Sequence, residues 1–347
     1  MHHSYKTVML IAICLIIIGL IILAVNLARS NFNLSSFNNT KLVTNEYKIT
    51  ENFSSVLIEC PSHDIVIKHA DDGICRVVSV TYEQTEIKPT VKDSVLTASY
   101  SDKRPWYEHL VMISFNVNSA PSVTLYLPDG EYDKLTASTT SGDITLSAGA
   151  ESGFGTVELS STSGDIGTTL LSAESLTAAS TSGDINTSSV YADNISVTST
   201  SGEIHADSCR AEGFINAGST SGEVEIGICS ASSLEAKTTS GELEIKNSNV
   251  SSIKVKTTSG DIDISGTEAT GNASFESTSG DVTFAGFDAH EIKVSTISGE
   301  VRGTLGSSKD FDVSTVSGRV DVPGSVYGAG PCSISTTSGN VNIKIPG

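Results

Sequence analysis

From Leu135 onward, apolar and polar residues alternate in short runs, and the runs return with a nearly constant period. A phrase of the form Ser-Gly-x-aliphatic marks each return and occurs eleven times between Ser141 and Val341. Its glycines are Gly142, Gly164, Gly183, Gly202, Gly222, Gly241, Gly260, Gly280, Gly299, Gly318 and Gly339, separated by 19 to 22 residues. Two residues after each glycine stands an aliphatic (Ile144, Ile166, Ile185 and so on to Val341), and further apolar positions lie five and seven residues before it. Spacing by two is the strand period, so these side chains share one face, while Ser, Thr, Asp, Glu, Asn and Lys take the other. One such period cannot bury its own apolar face, and neighbouring periods must stack to make a core.

The expected fold is therefore all-β: a single-stranded, right-handed β-solenoid of about eleven coils of 19–22 residues over 135–347. At about 4.8 Å per coil it extends roughly 50 Å. The repeat glycine is expected to turn the chain, reaching φ > 0 without a Cβ clash. The hydroxyl residues three and one before it are expected to point inward as stacked Ser/Thr ladders.

Before the repeat the pattern changes. Residues 8–27, VMLIAICLIIIGLIILAVNL, form an uncharged run long enough to cross a bilayer. The expectation is a short cytoplasmic tail over 1–7, an uncleaved single-pass transmembrane helix over 8–27 and a flexible Asn/Ser-rich linker over 28–46. Lys6 and Arg29 flank the span almost evenly. The polar, acidic remainder is what places the C-terminal domain outside the cell membrane. Residues 47–134 carry irregular alternating runs, among them SSVLIEC, DIVIKHA, CRVVSVTYE, DSVLTASY and SVTLYLP, separated by Asp-Asp-Gly, Lys-Pro and Pro-Asp-Gly turn signals. They read as an N-terminal β segment that caps the membrane-proximal end. At the other end Lys344 and Pro346 would blunt an open edge without preventing end-to-end self-association.

The residue after the glycine is acidic in nine repeats: Asp143, Asp165, Asp184, Glu203, Glu223, Glu242, Asp261, Asp281 and Glu300, with Arg319 and Asn340 completing the series. Stacked carboxylates at this spacing repel by about 0.9 kcal/mol per pair in water. Either they accept turn N–H groups, or they form a ladder for a divalent cation or a basic ligand. The spacing does not match Gly-Gly-x-Gly-x-Asp calcium rolls or calcium-binding helix-loop-helix motifs. Cys209 and Cys229 each lie seven residues after a repeat glycine, at equivalent positions one coil apart, within disulfide range. Cys60 and Cys75 form a second candidate pair across a hairpin, and free thiols are the alternative for both pairs. The seven histidines show no metal-ligand spacing and read as surface residues.

The run SVTLYLPDGEYDKLTASTTSGDITL over 122–146, followed by serial TSGDI and TSGEI phrases, resembles a bacterial adhesin-like β-strand-repeat family built on a domain of unknown function. The resemblance covers about residues 47–347 and implies a β-solenoid on the cell envelope, tethered by an N-terminal membrane segment. It brings no catalytic, cofactor or binding residues.

Charge narrows the function classes. A formal net charge of −19 and a pI near 4.6, with no basic block, exclude nucleic acid as a partner and electrostatic docking on anionic lipid. No nucleophile elbow, phosphate loop or metalloprotease phrase is present. Reiterated acidic positions suit an extended surface better than one reaction centre. The sequence thus points to a non-catalytic, cofactor-free surface protein that binds an envelope protein, a glycan or a divalent cation. A spacer or self-assembling rod is the alternative, and a polysaccharide-cleaving β-helix enzyme the minor one.

Overall fold

The computed structural model describes residues 17, 19, 42–102, 121–149 and 151–346. Every strand of this part belongs to one 26-stranded sheet wound into a β-solenoid of about eleven turns. Successive coils pair in parallel and in register. Ile144, Ile166, Ile185, Ile204, Val224, Leu243, Ile262 and Val282 form one continuous inward column. Leu135, Val157, Leu176, Ile195, Ile215, Leu234, Ile253 and Ala273 form another. These residues are buried at 2% exposure or less, so period-two alternation does set the core.

The repeat glycine is needed for a reason other than the one its position suggests. None of the eleven has a positive φ. Instead a Cβ on Gly164 would overlap the carbonyl oxygen of Gly142, and the same overlap recurs up the stack, Gly183 on Gly164, Gly202 on Gly183 and onward. The corners nest backbone on backbone, and a side chain there would force the coils apart. The left-handed conformation is placed at the next bend, six residues on, at Leu170, Ser189, Ser208, Ile228, Asn247, Gly266 and Gly286.

The hydroxyl three residues before each glycine is buried and ties the corner together. The Gly164 N–H donates to Ser161 Oγ (2.8 Å), and Ser161 Oγ donates to the Gly142 carbonyl (3.2 Å). Ser180, Ser199, Ser219 and Thr238 repeat both bonds. The serine immediately before the glycine does not point inward as alternation suggests. Ser163, Ser182 and Ser201 are exposed, because the corner breaks the strand period.

The N-terminal segment is interlaced rather than sequential. β1 (Leu42–Lys48) lies at the outer edge, antiparallel to β4 (Arg76–Tyr82). β2 (Ser55–Cys60) and β3 (Asp64–His69) form the coil directly beneath the first repeat. They pair in parallel with β8 (Glu131–Thr139) and β9 (Ile144–Ser147) above, and with β6 (Val95–Asp102) and β7 (Ser122–Leu127) below. β5 (Thr85–Lys92) closes a hairpin on β6 through Asp93 and Ser94, both at positive φ. Two expectations are corrected here. Residues 42–46, expected as linker, are strand. Lys88-Pro89, expected as a turn, lies inside β5, which among the described residues pairs with β6. The expected transmembrane helix over 8–27 lies outside the described residues apart from Ile17 and Gly19; no described helix is long and apolar enough to cross a membrane.

The C-terminal coils stack out of chain order. Ile292 pairs with Cys332, and Cys332 with Phe311, so residues 330–344 insert between the Gly299 coil and the Gly318 coil. The chain's last coil is therefore interior, and the outer end is 309–328, not the Lys344–Pro346 edge. One side chain reaches across the inserted coil, and one within it ties it to both neighbours. Lys309, 3% exposed, reaches past Gly330 to the Asp288 carboxylate (2.7 Å) and the Ala289 carbonyl. Asn340 donates to Glu300 Oε1 (2.7 Å) and accepts the Arg319 N–H (2.9 Å), which accounts for an amide at this place in the acidic series.

Candidate functional site

The acidic series forms a column along the glycine corner. Where the residue is Asp, its carboxylate accepts the backbone N–H of the acidic residue in the next coil. Asp143 accepts from Asp165 (2.9 Å), Asp165 from Asp184 (2.8 Å) and Asp184 from Glu203 (2.8 Å). Asp261 accepts from Asp281, and Asp281 from Glu300, both at 2.8 Å. A charge-assisted bond to a backbone N–H offsets the mutual repulsion of the stack. The column also has a member absent from the expected set: Asp64, whose Oδ1 accepts the Asp143 N–H (3.1 Å). It belongs to a repeat, Ser62-His63-Asp64-Ile65, in which histidine replaces glycine and supplies the carbonyl over which Gly142 nests. The Ser-x-Asp-Ile spacing was the available signal.

That replacement buries a residue expected at the surface. His63 is 2% exposed and packs on the Tyr100 ring at 5.1 Å. Among the described residues its ring nitrogens have no hydrogen-bond partner, and burial pushes its pKa down to about 4.

Beside the middle of the column, two strand glutamates approach one of its members. Glu223, Glu225 and Glu244 hold carboxylate oxygens within 4.8 Å of one another. The Lys246 ammonium already sits against Glu225 (3.0 Å) and Glu244 (2.7 Å), and His205 Nδ1 lies 3.0 Å from Glu225. These contacts hold Glu225 below the usual carboxylate range. Glu242 is pushed up, first by burial and then by hydrogen bonding to the Asp263 carboxyl. The arrangement is a mixed-charge network in which a lysine pairs with two of the three carboxylates.

The five cysteines among the described residues are free thiols and buried. Cys60 ends β2 at the glycine corner and Cys75 precedes β4, and the two are free thiols in the structure. Burial raises Cys60 to about 12 and Cys75 to about 11. Cys209 and Cys229 do meet, in adjacent coils.

Just before the Leu135–Ala273 column in each coil, register shifts between Ala192/Asn194, Arg210/Phe214, Val250/Ile253 and Ala269/Asn272 interrupt the ladder. An open trough of about 550 Å³ follows them, lined by Arg210, Glu212, Ser232, Asn249, Val250 and Glu268. A second trough continues from Glu268 and Thr270 past Asp288 and His290 to Lys309. Beside them stand the exposed rings of Tyr191 and Phe214. Tyr191 donates to Glu212 Oε1 (2.7 Å), and the Arg210 guanidinium lies 5.8 Å from its ring centroid. The sequence places these rings too far apart to read as a row; the coils bring Tyr191, Arg210 and Glu212 together. Phe287 joins Phe275 and Phe284 in the core instead.

The family model of the Toastrack DUF4097 domain matches residues 53–265 and 226–347. The chain belongs to that family. Solved structures similar to this Toastrack chain include a candidate adhesin from Bacteroides fragilis (17% identity, 77% of this chain and 97% of that one, TM-score 0.36). A lipid binding protein candidate from Parabacteroides distasonis aligns at 16% identity over 77% of this chain and 98% of that one, TM-score 0.44. A candidate adhesin from the same organism aligns at 16% identity over the same shares, TM-score 0.45. No curated protein matches this Toastrack sequence.

Proposed function

We propose that the chain is a non-catalytic surface protein of the bacterial envelope, tethered by residues 8–27 and facing outward, whose solenoid presents an elongated flank to a protein or glycan partner. The observation that supports this most is the pair of linked troughs, which run along the stack from Arg210 to Lys309 rather than converging on one enclosed centre. Their lining of short hydroxyls, carboxylates, an arginine and an amide, with Tyr191 alongside, can hydrogen-bond an extended polyhydroxylated or peptide chain. The test has two arms. Protease added to intact cells should remove the solenoid. Purified wild-type protein should retain envelope polysaccharide or protein that Ser232→Trp, which fills the trough, does not. Protection of the solenoid in intact cells would refute the outward orientation, and equal retention by S232W would refute the trough.

A second reading, a spacer or self-assembling rod, is favoured by the outer coil. Val316 is 82% exposed and Tyr327 fully so, and Val320 and Val326 are exposed beside them. Part of that edge is covered: Ser325 Oγ bonds both the N–H and the carbonyl of Phe311, and Val326 N–H donates to the Lys309 carbonyl. Concentration-dependent end-to-end oligomers in sedimentation, abolished by Val316→Lys, would favour the rod.

A further inference from the structure

The residues at Cys209 and Cys229 occupy one inward column, seven positions after their glycines. Asp207 pairs with Gly227 just before them and Arg210 with Ser230 just after. Backbone bonds lock both sides of the pair: Ser208 N–H to the Gly227 carbonyl (2.9 Å) and Ser230 N–H to the Cys209 carbonyl (3.0 Å). The two cysteines thus stand in register on adjacent coils, and the ladder spacing of about 4.8 Å lies within the Cα separation that disulfides span. Both side chains face the core, at 1% and 2% exposure.

The column explains what a simple packing role would look like. Ser248 and Thr267 follow in the next two coils, and each hydroxyl donates to the carbonyl two residues before it (2.9 and 3.0 Å). The sulfurs do the same, Cys209 to Asp207 (3.4 Å) and Cys229 to Gly227 (3.2 Å). A hydroxyl therefore satisfies this position without a thiol. Yet two consecutive coils carry cysteine here, and no other column among the described residues does.

We propose that Cys209 and Cys229 are a disulfide site, a staple across adjacent coils that closes when the protein meets an oxidant of the disulfide class. The Cys209 thiolate attacks one sulfur of the external disulfide and displaces its other half as a thiolate. Cys229 then attacks Cys209 Sγ in the mixed disulfide and releases the second half. Two protons leave the cysteine pair, and its two electrons reduce the external disulfide to two thiols. Exchange takes place as this coil closes during folding, since both sulfurs are buried afterwards. The proposal does not rest on the membrane or partner reading.

The test uses the purified chain refolded in a glutathione redox buffer, denatured with an alkylating agent, and mapped without reduction. Trypsin cleavage after Arg210 separates the two cysteines, so a bridge is read as two linked peptides about 2 Da lighter than their sum. The expected result is that linkage in wild type, and a melting temperature several degrees higher oxidised than reduced. Cys209→Ser/Cys229→Ser, built on the hydroxyls already present at Ser248 and Thr267, should fold and lose the redox-dependent shift. Should the double variant not fold, C229S alone must leave Cys209 alkylatable under the same buffer. Alkylation of both cysteines in wild type under excess oxidised glutathione, or linkage of either one to Cys60, Cys75 or Cys332, would overturn the proposal.

Discussion

Replacing Gly183 with alanine tests the claim that the coils nest backbone on backbone. The added Cβ would overlap the carbonyl oxygen of Gly164 and come within 2.9 Å of the Asp165 nitrogen. Backbone cannot rotate away, so the coils must part. That movement also loosens the Gly183 N–H to Ser180 Oγ bond (2.9 Å) and the Ser180 Oγ to Gly164 carbonyl bond (3.2 Å). Overpacking costs roughly 1–3 kcal/mol and each weakened bond about 1 kcal/mol, giving an expected destabilisation of about 3–5 kcal/mol. In a chain of this size that corresponds to a fall in Tm of roughly 5–15 °C. Gly167 is the control: it lies in the strand three residues past a repeat glycine, has no atom within 4 Å of an added Cβ and no positive φ. Gly167→Ala should be neutral or stabilising by up to about 1 kcal/mol. Both variants are compared by circular dichroism melting and urea titration. If G183A and G167A shift the midpoint equally, the corner glycines are there for another reason and the nesting argument fails.

Three other perturbations follow from particular residues. Ile228 holds φ +54° with its side chain 60% exposed, where the next coils place Asn247 and Gly266; Ile228→Asn should raise stability by about 1 kcal/mol, and a lower urea midpoint would show that the side chain contributes packing the strain argument ignores. Thr168 is fully buried with its hydroxyl unpartnered, between Leu146 and Thr187 in its column; Thr168→Val should stabilise by about 1 kcal/mol, and destabilisation would mean that the hydroxyl is hydrogen-bonded. His63 is neutral when folded because burial lowers its pKa from 6.5 to about 4. Its contribution is complete above pH 6.5 and is lost as pH falls through 4, amounting to roughly 3 kcal/mol at the acid end. His63→Gly, which restores the residue of the other coils, should flatten the pH dependence of the urea midpoint between pH 7 and 4; an unchanged slope would assign the acid sensitivity to the carboxylates.

The alternation and the 19–22-residue spacing determined which side chains face inward, that the coils stack in register, and that acidic residues form a column. Those are consequences of a period repeated along one chain, and they needed no tertiary information. The same spacing put Cys209 opposite Cys229. Other features were settled only by contacts between coils. The phrase marked the corner glycine but not whether it served a positive φ or a close approach, because both leave glycine in the sequence. The final coil was expected at the end of the stack and lies one place inside it, where Lys309 can reach Asp288 across Gly330 and Asn340 can bridge Glu300 and Arg319. The spacing is compatible with either order; the Lys309 contact across the inserted coil and the Asn340 contacts from it to both neighbours belong to the order observed. The N-terminal strands also interlace, and His63-Asp64 joins the column although 78 residues separate Asp64 from Gly142. Periodicity fixes the face a residue takes, while the identity of its neighbour along the axis belongs to the packed structure.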